Sequence, residues 1–446
     1  MFLTGGGSRS DIASLPLLRG GAVLFACWAM VGLQRADWRR VRVPLILLLA
    51  LTTWTAIQLI PLSPSIWHNL PGRELIVAAD RLLGNSDLWR PITLTPSETW
   101  NSLLAMTVPL AALMVAARLG PEDMHRILLA LLAIAIVNAV LGLLQIAWGA
   151  GSPAYLYRIT NTGSMVGLFA NRNHHGVFQA CAILFAATLL RDELMRRQQR
   201  PAIQAGLAGT AVLCTIMTML IGSRAGLAAG AVAFVLSYAM LLPAWRGRPG
   251  RDDHRRSSKS RASWMANWML IVPPLLVAGL LAAILLLADR STSLSRVAEN
   301  RVAEDLRVLA WPTIQQMIET YWVTGAGMGS FPAVYRIFES DALLQPAYFN
   351  RAHNDWVEIL ITGGLPSALI IVGAGVWFLR AAVRGGLRNL IKGYRGDYRL
   401  PILSMVGLFA AASVVDYPLR TPSLQAMTLI LIVLFACPRT AALQRE

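Results

Sequence analysis

Apolar runs separated by short polar connections fill most of this chain of 446 residues. A helix needs roughly 20 mostly apolar residues to cross a bilayer, and eleven runs come close enough to that length to predict membrane spans. The pattern therefore predicts an all-α, polytopic transmembrane helical bundle of about 11–12 spans. The predicted spans are Pro16–Leu33, Val43–Ile60, Ser102–Ala117, Ile127–Trp148, Gly176–Leu190, Ile203–Ile221, Ala225–Leu242, Trp264–Ala288, Trp356–Leu379, Leu400–Val415 and Gln425–Cys437.

The composition supports this class. Hydrophobic residues make up 55% of the chain and charged residues 14%, whereas an average soluble domain carries about 25% charged residues. All four cysteines lie inside apolar runs, so we expect them to be small buried hydrophobic residues rather than disulfides or metal ligands.

Basic residues collect in the connections on one side of the predicted bundle, namely 35–42, 118–126, 191–200, 244–261, 380–399 and the C-terminal tail. These connections hold 25 of the 40 basic residues and 9 of the 24 acidic ones, so the net charge of +16 lies on this side. Because cytoplasmic connections are enriched in Lys and Arg, the basic side is predicted to be cytoplasmic. The charge is then a topology signal that contacts membrane lipids, and no nucleic-acid partner is expected because no binding motif accompanies it.

The same map places the N-terminus outside and the C-terminus inside. Either the first run is not a full span, or an upstream helix is missing from this chain and Met1–Gly7 is its stub. The largest outer segment, 289–355, contains an amphipathic stretch, Glu304–Trp322, whose apolar residues we expect to pack against the membrane or neighbouring spans. These residues are Leu306, Leu309, Ala310, Ile314, Met317 and Tyr321.

A cluster of polar residues, Arg351-Ala352-His353-Asn354-Asp355, lies immediately before the apolar run Ile359–Leu379. Polar groups at the mouth of a span are expensive and usually belong to a site. His353 can take a proton near neutral pH, so it is a candidate general base.

Three arginines lie on the outer side, where no topology signal is needed. Arg224 follows a glycine turn at the start of a span, Arg307 lies on the amphipathic stretch, and Arg172 lies between two asparagines. A guanidinium fork matches phosphate oxygens, and the natural ligand at a membrane is a lipid phosphate or pyrophosphate. With His353 as base on an acceptor hydroxyl, these groups predict glycosyl transfer from a lipid pyrophosphate without a nucleotide sugar.

Plainer interpretations remain open for the charged residues. Arg224 could cap the dipole of the preceding span or bind lipid headgroups. Arg307 could pair with Glu304 or Asp305 on an exposed helix. His353 could be a solvated interfacial residue.

The loop around Asn173 has its own alternatives. Asn173 suits a helix N-cap, so the loop could be only a helix start. His174 and His175 could bind a metal, although no clear ligand partner accompanies them and no metal site is predicted.

Four motifs, in this order along the chain, resemble those of the O-antigen ligase and polymerase superfamily, which are integral membrane enzymes that move lipid-linked glycans. The likeness covers roughly residues 127 to 379. Gly167–Gly176 is similar to the family's Gly-x-Phe-x-Asn-x-Asn loop, and Ser223–Gly226 to its Ser-Arg-small-Gly element. Arg307–Trp311 with Gly325–Phe331 is similar to its Arg-x-x-x-Trp helix and Gly-x-Gly-x-x-Phe turn, and Ala352–Asp355 with Gly363–Pro366 to its Ala-His-Asn-x box and Gly-Leu-Pro turn.

The resemblance implies an enzyme of the bacterial inner membrane that needs no metal or other cofactor. Such an enzyme takes a glycan from undecaprenyl pyrophosphate at the periplasmic face and joins it to a hydroxyl of a glycan or lipid A-core acceptor. By this likeness Arg224 and Arg307 would hold the pyrophosphate and His353 would activate the acceptor hydroxyl. Arg172 stands where the family often has Pro. The residues expected to bind substrate are Asn171, Arg172, Asn173, His174, Arg351, Asn354 and Asp355.

The resemblance also suggests a division of the sequence. Residues 1–126 would form N-terminal spans with a periplasmic loop at 61–100. Residues 127–379 would form the ligase-like core, including the periplasmic loop 289–355, and residues 380–446 a cytoplasmic loop and C-terminal spans. The family commonly has its N-terminus inside, which strengthens the expectation of a missing first helix.

Two other classes of protein compete with an enzyme. A transporter or channel for a small anion or a lipid would use the same arginines, but it should carry ionisable groups at the membrane midplane or inverted repeats, and neither is visible. The other competing hypothesis is a non-catalytic partner in envelope assembly. Among enzymes, the sequence does not separate a ligase from a polymerase or a protein glycosyltransferase.

Overall fold

The fold is described by a computed structural model that covers residues 1–198, 200–246, 308–344, 349–384 and 396–437. Helices dominate these residues, and the strands β1 (Pro61–Leu62) and β2 (Arg90–Pro91) pair antiparallel with Pro61 opposite Pro91. The predicted all-α class is therefore confirmed. Short 3-10 turns cover Pro121–Asp123, Asp341–Leu343 and Pro418–Arg420. The α-helices are α1 Leu15–Val31, α2 Arg35–Arg40, α3 Arg42–Ile57, α4 Pro64–Trp67, α5 Glu74–Leu82, α6 Pro96–Ala105, α7 Thr107–Arg118, α8 Met124–Ala147, α9 Arg172–Leu194, α10 Pro201–Leu220, α11 Arg224–Arg246, α12 Trp311–Tyr321, α13 Phe331–Phe338, α14 Asp355–Arg384, α15 Arg399–Val415 and α16 Pro422–Ala436.

Ten of the eleven predicted spans coincide with helices, and Trp264–Ala288 lies outside the described residues. Within the described ranges, five helical segments are long and apolar enough to cross a membrane: Pro96–Arg118, Pro121–Ala147, Pro201–Leu220, Arg224–Leu242 and Asp355–Arg384. The helices α1, α3, α15 and α16 are apolar but shorter. These helices support an integral membrane protein.

Helix α9 is in neither group, although the sequence predicted a span at Gly176–Leu190. Nearly all of its residues are buried, including Arg191, Asp192 and Glu193 at its C-terminal end. A helix enclosed by other helices does not need a lipid-compatible surface, so its polar residues are tolerated.

Two compact units divide the chain by spatial contact. One consists of Met1–Asp123, Asp305–Gly385 and Phe409–Glu446, and the other of Met124–Glu304 and Gly386–Leu408. We call them the first and second unit. The division of the sequence into residues 1–126, 127–379 and 380–446 is a functional one and stays a prediction.

The second unit is built around α9, which packs against α8, α10 and α11. A Cβ placed on Gly176 of α9 would lie 2.8 Å from the Cα of Gly226 in α11. The two backbones approach this closely only because both residues are glycine.

Buried amides hold an irregular loop against this helical core. Gln145 of α8 accepts hydrogen bonds from the backbone N–H groups of Val166 (2.9 Å) and Gly167 (2.8 Å), and it donates to the Gly167 carbonyl (2.9 Å). Asn138 accepts from the Leu168 N–H at 2.7 Å. Unpaired backbone groups are costly away from water, so these two side chains allow a non-helical segment to lie inside the bundle.

In the first unit, small side chains let α1, α7 and α16 pack closely. Ala29 of α1, Ala116 of α7 and Val433 of α16 are fully buried in one apolar cluster. Small residues at such interfaces permit close helix approach, which drives association inside a bilayer.

Helix α14 is broken at Gly364, where φ is 64° and ψ is −169°. The turn that contains Gly325 docks on this break. Ala326 donates to the Ile361 carbonyl and Gly327 to the Thr362 carbonyl, both at 2.9 Å. The third and fourth family motifs therefore meet through their backbones.

Two side chains at the C-terminal end of α3, Trp54 and the C-cap residue Gln58, complete the hydrogen bonding at the break. The Trp54 indole donates to the Gly363 carbonyl at 2.7 Å, and the Gln58 amide donates to the Thr362 carbonyl at 3.0 Å. Gln58 also accepts from the Met328 N–H at 2.9 Å. A broken helix is stable in an apolar environment only when its freed backbone groups find such partners.

A buried cation joins the loop 61–100 to α12. The guanidinium of Arg73 lies 5.7 Å from the Trp67 ring and 5.6 Å from the Tyr321 ring, and it donates to the Ile92 carbonyl at 2.5 Å. Burial lowers the pKa of Arg73, while Tyr321 and Glu74 act in the opposite direction. Ring faces and carbonyls compensate the buried charge.

The amphipathic prediction holds for most of the described part of the stretch 304–322. Ala310, Ile314, Met317 and Tyr321 are buried in one cluster with Ala326, Phe331 and Tyr335. Leu309 is 59% exposed, so its packing against the membrane stays a prediction. Leu306 lies outside the described residues.

We expect Gly364→Ala to destabilise the protein by about 2 kcal/mol, because alanine resists a positive φ and its Cβ would lie 2.6 Å from the Gly325 nitrogen. Thermal unfolding of the purified protein in detergent measures this. Gly375→Ala is the matched control in the same helix, since no atom lies within 4 Å of its Cβ position. Equal melting temperatures for the two variants would contradict the role of the break.

Candidate functional site

The polar cluster before α14 is built as a helix cap. The Asn354 side-chain oxygen accepts hydrogen bonds from the backbone N–H groups of Trp356 and Val357, both at 3.1 Å. Asp355 and Glu358 supply negative charge in the first turn of the helix, where the helix dipole favours it. The sequence Asn-Asp at this point thus fixes where α14 begins, and it places His353 just outside the helix.

His353 has an unusual backbone conformation. Its φ is +51°, and among the described residues it alone combines a positive φ with a side chain. Histidine enters this left-handed region more readily than most residues, but the conformation still costs about 1 kcal/mol or more. Such a conformation persists only where the surroundings fix it.

The imidazole of His353 lies between aromatic rings and a carboxylate. Its ring centroid is 5.8 Å from that of Phe349 and 5.2 Å from that of Tyr417. Its Nδ1 is 3.7 Å from the Asp416 Oδ1 and makes no hydrogen bond with the described residues. The side chain is 20% exposed, whereas that of Asp416 is 2% exposed. The carboxylate is therefore placed behind the imidazole, which leaves part of the ring accessible.

Arg351 and Asp355 are held by other protein groups. Arg351 donates to Glu358 at 3.0 Å and to the Ser8 carbonyl at 2.7 Å. Asp355 accepts from Arg420 at 2.7 Å and from Ser413 at 3.1 Å. Their expected part in substrate binding stays a prediction.

Sequence reasoning missed Asp416 and Arg420, which the structure brings next to the predicted box. Both lie in the segment Asp416-Tyr417-Pro418-Leu419-Arg420, between α15 and α16. Burial opposes the charge on Arg420, but the carboxylates of Glu358 and Asp355 outweigh it and raise the pKa of Arg420. The signal was available: these are charges between two apolar runs on the predicted outer side, the same argument that singled out Arg224.

In the second unit, the first two motifs meet at the start of two helices. Asn171 caps α9, and its side chain accepts from the Asn173 N–H at 2.8 Å. Asn173 accepts from the Ser223 hydroxyl at 2.7 Å, and that hydroxyl accepts from the Gly226 N–H at 2.9 Å. The N-cap is therefore Asn171, and the interpretation of Asn173 as the cap was wrong because the side chain of Asn173 turns to the next motif instead.

This link brings two arginines to one end of the unit. Arg172 is the first residue of α9 and Arg224 the first residue of α11. Arg172 is partly exposed and Arg224 is exposed. The N-terminus of a helix is the positive end of its dipole, so an anion there stabilises the helix and a cation does not. Two guanidinium groups therefore lie at two helix N-termini, each of which favours an anion.

The histidines beside Arg172 are buried. His174 is 1% exposed, and the His175 ring lies 3.2 Å from the Met165 carbonyl oxygen and 3.3 Å from the Gln179 amide nitrogen. In the described part of the chain, no three His, Cys, Asp or Glu side chains group together as metal ligands would. The pair His174–His175 thus faces the helical core.

The catalytic prediction concerned Arg224, Arg307 and His353 together. Arg224 belongs to the second unit and His353 to the first, and each is described within its own unit. Arg307 lies outside the described residues. The convergence of the three groups on one substrate stays a prediction.

Comparison with known proteins adds a family to this geometry. Residues 209–372 match the family model described as O-antigen ligase, and no curated protein matches the chain. The matched segment contains Arg224, Arg307 and His353, while Arg172, Asp416 and Arg420 lie outside it. A domain of this family indicates a membrane-embedded, glycan-transferring enzyme of the ligase or polymerase kind. The resemblance to the O-antigen ligase and polymerase superfamily is therefore confirmed, and an O-antigen ligase domain at residues 209–372 carries it.

Proposed function

We propose that this protein transfers a glycan from undecaprenyl pyrophosphate to an acceptor hydroxyl at the periplasmic face of the bacterial inner membrane. The observation that carries the proposal is the His353 imidazole, held in a left-handed backbone conformation with Nδ1 3.7 Å from a buried carboxylate. The concentration of positive charge on the opposite connections supports the periplasmic assignment. The acceptor would be a glycan or lipid A-core.

Donor binding is assigned to the end of the second unit where α9 and α11 begin. Arg224 and Arg172 would contact the pyrophosphate oxygens, with the N-termini of α9 and α11 behind them. The third arginine, Arg307, would bind the same group. Asn171 and Asn173 would act by holding the two helix starts together, and buried His174 by supporting the loop. Guanidinium groups would supply the positive charge that a metal ion provides in other transferases, so we propose a metal-independent reaction.

The chemical step is a displacement at the anomeric carbon. The acceptor oxygen would attack the anomeric carbon. The bond between this carbon and the pyrophosphate oxygen would break, and its electron pair would leave with undecaprenyl pyrophosphate. The proton of the acceptor hydroxyl would pass to the Nε2 of His353. Asp416, on the Nδ1 side, would orient the imidazole and stabilise the imidazolium, as a carboxylate does behind other catalytic histidines. The distance of 3.7 Å would shorten when the proton arrives, because catalytic hydrogen bonds commonly tighten in the substrate complex.

We expect His353→Asn to lower the transfer rate by about 10²- to 10⁴-fold, because asparagine keeps the left-handed backbone but takes no proton near neutral pH. The measurement is transfer of labelled lipid-linked glycan in membranes, normalised to folded protein. His353→Gly is the second variant, since it removes the ring and relieves any strain. A fully active asparagine variant would remove the base from the proposal.

Arg224→Lys keeps the charge but loses the bidentate fork, so donor affinity should fall by about tenfold, or roughly 1.4 kcal/mol. The measurement is the apparent KM for the lipid-linked donor in the presence of EDTA. The activity of the parent protein under the same conditions tests whether the reaction is independent of a metal. Arg158→Lys, at an exposed position of the segment between α8 and α9, is the control. Unchanged KM for Arg224→Lys would favour a headgroup role, and inhibition of the parent by EDTA would contradict the metal-independent step.

Deleting the gene should distinguish a polymerase from a ligase. Mass analysis of lipid-linked intermediates is expected to show accumulated single repeats if the protein is a polymerase, and accumulated polymer if it is a ligase. Wild-type intermediates in the deletion strain would contradict both forms of the proposal.

A further inference from the structure

The box around His353 is connected to two distant parts of the chain by paired charges. Arg420, in the turn between α15 and α16, lies 2.7 Å from Asp355 and 3.2 Å from Glu358. Arg351 lies 3.0 Å from the same Glu358 oxygen and also donates to the carbonyl of Ser8. Glu358 thus joins the box, the α15–α16 turn and the N-terminal segment.

We infer that Arg420 and Glu358 are positioning residues for the transfer reaction, which hold His353 against Asp416. This inference rests on the proposed function. It also reassigns Arg351 and Asp355, which act within this set of charges instead of contacting substrate. We call Arg351, Asp355, Glu358 and Arg420 the charge latch.

The charge latch is electrically balanced and largely removed from water. Its side chains are 15%, 8%, 1% and 18% exposed, in that order. Two guanidinium groups face two carboxylates, so the set carries no net charge. Removing one member of such a buried set leaves an uncompensated charge, which is far more costly than losing an exposed pair.

Both sides of the His353 environment are fixed by the charge latch. On one side, Glu358 accepts the Ala352 N–H at 2.9 Å, which restrains the residue before His353. On the other side, Arg420 anchors the turn that begins with Asp416 and Tyr417, the two residues against the His353 ring. The left-handed backbone at His353 persists because Ala352 is restrained on one side and the residues packed against the ring are restrained on the other.

The charge latch also explains why strong cations beside the base do not compete for the donor. Each guanidinium is engaged by a carboxylate at 2.7–3.2 Å. These two arginines therefore serve the geometry of the box, while donor binding is proposed for Arg172 and Arg224 at the helix N-termini.

The test is a double-mutant cycle with Arg420→Gln, Glu358→Gln and their combination. Each single change should lower kcat by about tenfold, and the double variant should lose less than the product of the two, with a coupling of about tenfold. The KM for the lipid-linked donor should stay within about twofold, because no latch residue binds it. Membranes of the deletion strain provide the accumulated donor. Arg9→Gln, in an exposed pair with Asp11, is the control and should be neutral.

A second measurement is independent of activity, so it separates this inference from the proposed function. His353→Cys is placed in a background without the exposed Cys27, and the rate of maleimide labelling is followed in purified protein. Adding Arg420→Gln should raise the labelling rate several-fold, while Arg420→Lys, which keeps the charge and serves where the glutamine variant does not fold, should raise it less. Additive kcat losses, or labelling unchanged by Arg420→Gln, would overturn the positioning role even if His353 is the base.

Discussion

The demand of backbone N–H and C=O groups for partners in an apolar surrounding governs this structure. Where a helix runs unbroken, the chain meets the demand by itself; where it breaks, the sequence must supply partners. At the break in α14 these partners are Gln58, Trp54 and the Gly325 turn. In the second unit Gln145 does the same for the loop at Val166 and Gly167. The irregular segments that carry the candidate site exist because polar side chains are buried for them.

The charged residues follow a related division. Arg351, Asp355, Glu358 and Arg420 neutralise one another and fix geometry. Arg172 and Arg224 add positive charge where helix N-termini already provide it. A helix N-terminus favours an anion, so the second arrangement suits the proposed binding of a pyrophosphate. On this proposal the first set of charges positions the site and the second binds the substrate.

Much of the fold followed from hydrophobic pattern alone, because a span requires a long apolar run and little else in a sequence resembles one. Ten predicted spans are helices, and the box at His353 was recognised because polar groups before a span are rare. The limit of the pattern appears at α9, whose polar C-terminal end is enclosed by protein. Asp416 and Arg420 could have been noticed as charges between two apolar runs. Their pairing with His353 and Asp355 could not, because these partners are about 60 residues away in sequence and leave no local periodicity.

The family motifs contain more residues than the chemistry needs. Gly176 and Gly226 allow two helices to touch, Gly325 and Gly364 allow a turn to dock on a broken helix, and Asn171 and Asn354 begin α9 and α14. In these roles the glycines and asparagines act on the protein's own structure. The same motifs also carry Arg224, Arg307 and His353, the three residues proposed to act on the substrate. A set of two cations and one titratable ring suits a reaction whose leaving group is an anion and whose nucleophile must lose a proton, and glycan transfer from a lipid pyrophosphate is such a reaction.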